Sequence, residues 1–203
     1  MTSMFHDSSR ALQDRFDTRR IADRIESRLV KGELDEGHRH FIESVDMFFL
    51  ATADEEGRPN CSYKGGAPGF VRVVDTRTIA FPNYDGNGMY VSMGNVGRNL
   101  HVGLLFIDFE RGSRLRLNGA ASIDEGDPLL CEYPEAQFVV RVRVHQVFPN
   151  CPRYIHKMKR IEASPFVPAA GCETPVPAWK RSEWAHDAIA ERDPARDPAK
   201  SAR

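Results

Sequence analysis

A glycine-rich segment at residues 81–95, FPNYDGNGMYVSMGN, has the residue types that could bind an anion. It leaves an apolar run, passes through Asp85-Gly86-Asn87-Gly88, and enters a predicted helix that starts near Met89. Glycines let backbone N–H groups approach an anion without a Cβ in the way, and a helix N-terminus adds a favourable dipole. The segment is therefore a candidate phosphate site, and a hairpin loop without a ligand is the alternative of equal weight.

Two predicted strands carry polar side chains at a spacing that places them on one face. Ser62 and Lys64 lie two residues apart, and a hydroxyl beside an ammonium suits a phosphate or a chain of hydroxyls. Arg114, Arg116 and Asn118 alternate with leucines in the same way. For both sets the alternative is a solvated strand face with no ligand.

The middle of the chain contains the elements that must position these side chains. Short apolar runs with alternating polarity, separated by turn residues, predict about seven strands. They cover residues 47–53, 60–64, 70–74, 78–82, 101–109, 114–123 and 137–148. Because no long helices separate them, the strands are expected to form an antiparallel sheet. Such a sheet is expected to close into a barrel, since closure leaves no edge strand exposed. The predicted fold is mainly β, a barrel of six to seven antiparallel strands with flanking helices.

The segments on either side of the barrel have a different composition. Residues 1–46 are predicted to form helices that pack on the barrel, with one apolar stripe formed by Leu12, Phe16, Ile21, Ile25 and Leu29. Residues 47–150 are predicted to form the barrel. Residues 151–190 are a proline-rich extension with helices expected near 153–160 and 181–191. The charged tail, residues 191–203, is predicted to be disordered.

Composition excludes several function classes. The net charge is −1, and the arginines between Arg15 and Arg28 alternate with acidic residues, so no nucleic-acid partner is expected. No apolar run approaches the roughly 18 residues that span a bilayer, so no membrane partner is expected either. His38 and His40 would point apart on a helix, and no metal site is predicted.

The cysteines and the N-terminus indicate a compartment. The four cysteines are far apart and include no Cys-x-x-Cys pair, so they are expected to be reduced thiols in the core. The first residues lack the charged and apolar regions of a secretory signal. The predicted location is the cytoplasm.

Five segments in a fixed order resemble the pyridoxamine 5′-phosphate oxidase-like superfamily of flavoproteins. They are GRPNCSYKGG (57–66), PGFVRVVDTRTIAFP (68–82), DGNGMYVSMGN (85–95), VGLLFIDF (102–109) and RLRLNGAA (114–121), and the similarity extends over about residues 40–150. The resemblance implies a split barrel that binds FMN as cofactor, and a homodimer with the flavins at its interface. It further implies an FMN-dependent oxidoreductase acting on a small-molecule redox substrate, with no catalytic side chain assigned.

The resemblance also suggests roles for individual residues. Pro82 and Asn83 would run along the edge of the flavin ring, and Asn87, Gly88 and Met89 would enclose the phosphate or ribityl end. The Ser-Arg-Lys group that binds phosphate in many family members is absent, and the Asp-Gly-Asn-Gly loop stands in its place.

Four more residues are candidates for contact with the flavin. Arg114 or Arg116 near the pyrimidine side would stabilise negative charge on the reduced ring. Tyr154 and Trp179 lie on segments with little core of their own, and either could reach across a dimer to stack on a flavin. Ordinary packing against the barrel is the alternative for both aromatic residues.

The C-terminal segment, WKRSEWAHDAIAERDPARDPAKSAR, lacks the Trp, Arg-Leu and Pro pattern that closes on substrate in true pyridoxamine phosphate oxidases. Oxidation of vitamin B6 is therefore not predicted. Two alternatives to an FMN oxidoreductase stay open. One is a protein that binds FMN or haem without turnover, and the other is a reductase that uses a deazaflavin.

Overall fold

The computed structural model describes residues 3–200, which form two compact units. The first unit ends at Lys159 and the second begins at Arg160. The α-helices of the first unit are Asp7–Arg15 (α1), Arg19–Leu29 (α2), Glu36–Ser44 (α3) and Val91–Val96 (α4). Its strands are Met47–Ala53 (β1), Pro59–Gly65 (β2), Arg72–Asp75 (β3), Thr78–Tyr84 (β4), His101–Asp108 (β5), Ser113–Asp124 (β6) and Ala136–Pro149 (β7). A 3-10 helix, Pro128–Glu132, separates β6 from β7.

The seven strands form one antiparallel sheet in the order β2-β1-β5-β6-β7-β4-β3. Three strands separate β1 from β4 in the sheet. The ring of Phe48 on β1 nevertheless lies 5.0 Å from that of Phe81 on β4, which shows that the sheet curves back on itself. Phe48 also packs 5.2 Å from Phe106 of β5. All three rings are buried in a single core, where aromatic pairs add to the stability from area burial. The predicted mainly β split barrel of six to seven antiparallel strands is confirmed.

The two edge strands of the sheet are β2 and β3, and β2 has polar residues on its inner face. Its register pairs Ser62 with Leu50 and Lys64 with Phe48 of β1. Directly paired residues share a face of the sheet, so Ser62 and Lys64 point to the same side as the core residues of β1. The apolar core thus ends at this edge, and a polar surface begins there.

The N-terminal segment differs from its sequence prediction. The predicted stripe is divided between two helices, α1 and α2, with Phe16 at the C-terminal cap of α1 and a break at Asp17, a residue with φ of 51°. All five apolar residues of the stripe are exposed, whereas the sequence led us to expect them to pack on the barrel. Of the three helices before β1 in the described residues, α3 contributes to the core, through the fully buried Ile42, and Asp35 caps its N-terminus by accepting from His38 N.

The cysteines are free, but they are not core residues. All four, Cys61, Cys131, Cys151 and Cys172, are exposed, so the prediction of core thiols is wrong. Cys61 shows the reason, because it alternates with Asn60 and Ser62 and therefore faces outward on an edge strand.

The segments after β7 contain less helix than predicted. Residues 153–160 form no helix. The described part of the second unit, residues 160–200, has two 3-10 helices, Ala178–Arg181 and Pro194–Arg196, and no α-helix at 181–191, where one was expected. In residues 191–200, predicted to be disordered, Asp193 accepts a 2.7 Å bond from Lys180 Nζ. The remainder of that predicted tail, residues 201–203, lies outside the described residues. Over the described part of the chain, no helix has both the length and the hydrophobicity to cross a bilayer.

Candidate functional site

A cleft of about 460 Å³ opens beside the edge strand β2. Its walls are the inner face of β2, the end of β4, the loop at residues 85–90 and the first turns of α4. Six of the residues predicted from the sequence line it: Ser62, Lys64, Asn83, Asn87, Gly88 and Met89. A volume of this size falls in the range of pockets that hold small molecules and cofactors.

A cluster of hydroxyl and amide groups forms the wall between β2 and α4. Ser62 Oγ lies 3.0 Å from Ser92 Oγ, and Asn60 Nδ2 donates to Ser92 Oγ at 3.0 Å. Ser92 itself is buried, with 7% of its surface exposed. Strand alternation places Asn60, Ser62 and Lys64 in one row, and α4 supplies the serine opposite them. The row offers hydrogen-bonding groups of both kinds to a ligand.

Lys64 is the cation of the cleft, and it is half-buried. Burial lowers the pKa of its ammonium below the ordinary value of 10.5, and no carboxylate compensates. Among the described residues, Lys64 has no ion-pair partner, and none of those that line the cleft is acidic. An ammonium that has lost part of its hydration without gaining a counter-ion favours binding of an anion.

The glycine-rich loop reaches the cleft in a strained conformation. Gly88 has φ of 76°, which suits glycine, and Tyr90 has φ of 48°, which is unusual for a residue with a side chain. Asn87 Oδ1 accepts from Met89 N at 3.0 Å and holds the turn. The helix α4 begins at Val91, two residues later than predicted, and is only six residues long. The loop, more than a helix dipole, therefore shapes this wall.

The wall from β4 has a fixed amide. Asn83 is buried and donates from Nδ2 to Gln137 Oε1 at 3.0 Å and to the backbone oxygen of Tyr84 at 3.3 Å. Gln137 Oε1 also accepts from Tyr90 Oη at 2.9 Å. One glutamine thus connects β4 to the strained loop.

Tyr84 follows Asn83 at the end of β4, and strand alternation directs its phenol to the opposite face of the sheet. Burial raises the pKa of Tyr84 above its ordinary value, and the nearby charge of Glu135 raises it further. Glu135 and the neighbouring Tyr133 do not line the cleft, so this phenol is not assigned to a ligand.

The other sequence candidates do not line the cleft. Pro82 is buried within β4, opposite Val139. Arg114 donates from Nη2 to Asn150 Oδ1 at 2.8 Å and to the Cys151 oxygen at 2.7 Å, so it fixes the end of β7. Arg116 is exposed further along β6.

The two aromatic candidates have other surroundings. Tyr154 is 88% exposed and follows β7 with φ of 72°. Trp179 belongs to the second unit, where its ring stacks on that of Trp184 with centroids 5.9 Å apart.

Among the residues of the cleft and its wall that were missed from the sequence are Asn60, Tyr90, Ser92 and Gln137. The alternation that selected Ser62 and Lys64 extends one step back to Asn60, so this residue could have been found. The positions of the other three depend on how α4, the loop and β7 meet in space, for which the sequence contains no local signal.

A comparison with models of protein families shows which family the chain belongs to. A model described as pyridoxamine 5′-phosphate oxidase matches residues 34–161, well over half of the sequence. The chain belongs to this family. Membership confirms the resemblance predicted from the five sequence segments. No curated protein has significant sequence similarity to the chain.

Several solved structures have a similar fold. HupZ from Group A Streptococcus is 18% identical with a TM-score of 0.47, and the match covers 62% of this chain and 99% of that one. An FMN-binding protein from Syntrophomonas wolfei is 11% identical with a TM-score of 0.45, over 69% and 97% of the two chains. HutZ, a haem storage protein from Vibrio cholerae, is 19% identical with a TM-score of 0.43, over 57% and 93%. At these values, the three structures support no inference about the ligand of this chain.

Proposed function

We propose that this chain is an FMN-dependent oxidoreductase that binds FMN in the cleft beside β2 and acts on a small-molecule substrate. The observation that carries the proposal is the half-buried Lys64 ammonium, which has no acidic partner among the described residues and lies in a row with hydroxyl and amide groups. FMN combines a phosphate dianion, a chain of hydroxyls and a flat ring with donors and acceptors on its edge. The donor set of the cleft fits the first two of these groups.

Each residue of the cleft has a distinct task in this proposal. Lys64 neutralises the phosphate, and the Ser62 and Ser92 hydroxyls complete its hydrogen bonds or those of the ribityl chain. Asn83 contacts the ring edge from β4. When bound, FMN would supply hydride or electron transfer, so the protein needs no side-chain nucleophile and serves to hold and orient the cofactor.

We further propose that the protein works as a homodimer with the cofactor at the interface. Large side chains at the rim of the cleft are exposed: Tyr63 by 62%, Met89 by 68% and Tyr90 by 47%. The apolar stripe of α1 and α2 is exposed as well. Exposed apolar groups in such number are typical of surfaces that another chain covers. Static light scattering tests this part, and a monomer that retains FMN would contradict it.

We also propose a cytoplasmic location, which is supported by four exposed cysteines that form no disulfide. Thiols in such positions stay reduced most readily in a reducing compartment. Localisation of a tagged full-length chain by cell fractionation tests this proposal, and recovery from an oxidising compartment would contradict it.

The absorbance spectrum of the purified protein, followed by anaerobic addition of NADH or NADPH, tests the function. A flavin spectrum that bleaches with a nicotinamide donor supports the proposal. A flavin or haem spectrum that no donor changes would support binding without turnover. A colourless protein that becomes active only with a reduced deazaflavin would support the third candidate. Either of the last two results contradicts an FMN oxidoreductase.

A further inference from the structure

The orientation of the Asn83 amide is fixed by its neighbours. The Tyr84 carbonyl oxygen can only accept, so the Asn83 atom 3.3 Å from it must be the nitrogen, Nδ2. The same Nδ2 donates to Gln137 Oε1 at 3.0 Å. The other amide atom, Asn83 Oδ1, has no hydrogen-bond partner among the described residues. Because Asn83 is 91% buried and lines the cleft, this oxygen is an acceptor that a ligand can satisfy.

A β-bulge brings Gln137 into position for this role. The register of β4 and β7 pairs Asn83 with Phe138 and Tyr84 with Ala136, so Gln137 is the extra residue of β7. Bulges redirect a side chain out of the regular alternation of a strand. Here the redirected Oε1 accepts from both Asn83 Nδ2 and Tyr90 Oη. Gln137 therefore holds Asn83 and the strained loop residue Tyr90 together.

We propose that Asn83 Oδ1, oriented by Gln137, selects for a flavin ring whose imide nitrogen, N3, carries a hydrogen. The N3–H group is the hydrogen-bond donor between two carbonyl acceptors on the pyrimidine edge of the ring. If the Asn83 amide were reversed, it would present an N–H to that edge and would favour the carbonyls instead. Gln137 is thus a positioning residue for specificity, and Asn83 is the binding residue. This inference rests on the proposed function.

The experiment compares the affinities of FMN and N3-methyl-FMN, measured by quenching of flavin fluorescence. For the wild-type protein we expect N3-methyl-FMN to bind about 5- to 20-fold more weakly, since the methyl group removes the donor and leaves Oδ1 without a partner. In Asn83→Leu and in Gln137→Leu, the ratio of the two affinities should fall to near one. Gln137→Glu keeps an oxygen that can accept from both neighbours, so it should restore much of the wild-type ratio.

Gln146→Leu is the matched control. Gln146 lies on the same strand beside a second bulge, and its Oε1 accepts from Asn118 Nδ2 at 3.3 Å away from this cleft. Its loss should leave the ratio of affinities unchanged. A thermal melt of each variant shows whether it is folded. A general loss of stability weakens the binding of both ligands alike, so it does not change the ratio of the FMN and N3-methyl-FMN affinities.

The outcomes separate this inference from the proposed function. Wild-type protein that binds FMN and N3-methyl-FMN equally well would overturn the inference and leave the proposed function intact. A ratio that persists in Asn83→Leu, or in Gln137→Leu, would also overturn it. Wild-type protein that binds neither flavin would overturn both.

Discussion

Replacing Lys64 with methionine should weaken FMN binding and, at the same time, stabilise the protein without ligand. Methionine keeps most of the length of the lysine side chain and removes its charge. In the free protein, burial disfavours the Lys64 ammonium, and no described carboxylate offsets this cost. The variant removes that penalty together with the group proposed to hold the phosphate. A residue that only stabilised the fold would not change the two quantities in opposite directions.

The size of each effect follows from the contacts. A hydrogen bond to a charged group contributes about 1.5–3 kcal/mol, so Lys64→Met should weaken FMN binding by about 10- to 150-fold. Removing a half-buried, unpaired charge should raise the free energy of unfolding of the free protein by less than about 1 kcal/mol, because desolvation no longer opposes folding, but solvent already screens the exposed part of the ammonium.

Two assays measure these effects. Titration of flavin fluorescence gives the dissociation constant for FMN, and urea denaturation without ligand gives the free energy of unfolding. Riboflavin, which lacks the phosphate, is the control ligand and should bind to both proteins equally. Lys157→Met is the control variant, since Lys157 is exposed and does not line the cleft. Unchanged FMN affinity in Lys64→Met, or an equal loss for riboflavin, would refute the assignment of Lys64 to the phosphate.

Three further predictions can be tested with the same methods. The ratio of FMN affinity to riboflavin affinity should fall as the pH rises through the lowered pKa of Lys64, because only the phosphate of FMN requires the protonated ammonium, whereas any ionisation of the ring affects both ligands equally; a ratio that stays constant in the fluorescence titration would contradict this role of Lys64. Ser92→Ala should weaken FMN binding by about 3- to 10-fold, because it removes the hydroxyl that contacts Asn60 and Ser62; equal affinities would exclude Ser92 from the site. Phe48→Ala should lower the free energy of unfolding, measured by urea denaturation, by about 3–5 kcal/mol, since Phe48 is fully buried between strands on opposite sides of the barrel. A loss below about 1 kcal/mol would contradict the closed core.

The barrel could be predicted from the sequence because its signals are local. Each strand is a short run of alternating polarity that ends at turn residues, and all seven predicted runs overlap the observed strands. The helical segments were harder to predict, since their conformation and burial depend on contacts outside the segment. The periodicity of residues 12–29 cannot show that the chain turns at Asp17, nor that the apolar stripe stays exposed. Residues 181–191 form turns where a helix was expected, although this stretch contains no proline, so no local signal in it predicts that outcome.

Part of the candidate site was also accessible from local patterns. Strand alternation and the glycine-rich loop selected residues that the structure places in one cleft, among them Ser62, Lys64 and Asn87. Gln137 could not be found in this way, because a bulge shifts it out of the regular alternation on which the prediction of β7 relied. Arg114 was selected by the same alternation, but the structure shows it bound to Asn150, a contact between ends of different strands.

A crystal structure of the protein grown with excess FMN would test the central claim most directly. We expect the FMN phosphate within hydrogen-bonding distance of Lys64 Nζ, with the flavin ring extending from there along β4. A cleft that stays empty at saturating FMN, or a phosphate bound away from Lys64, would contradict the proposed function.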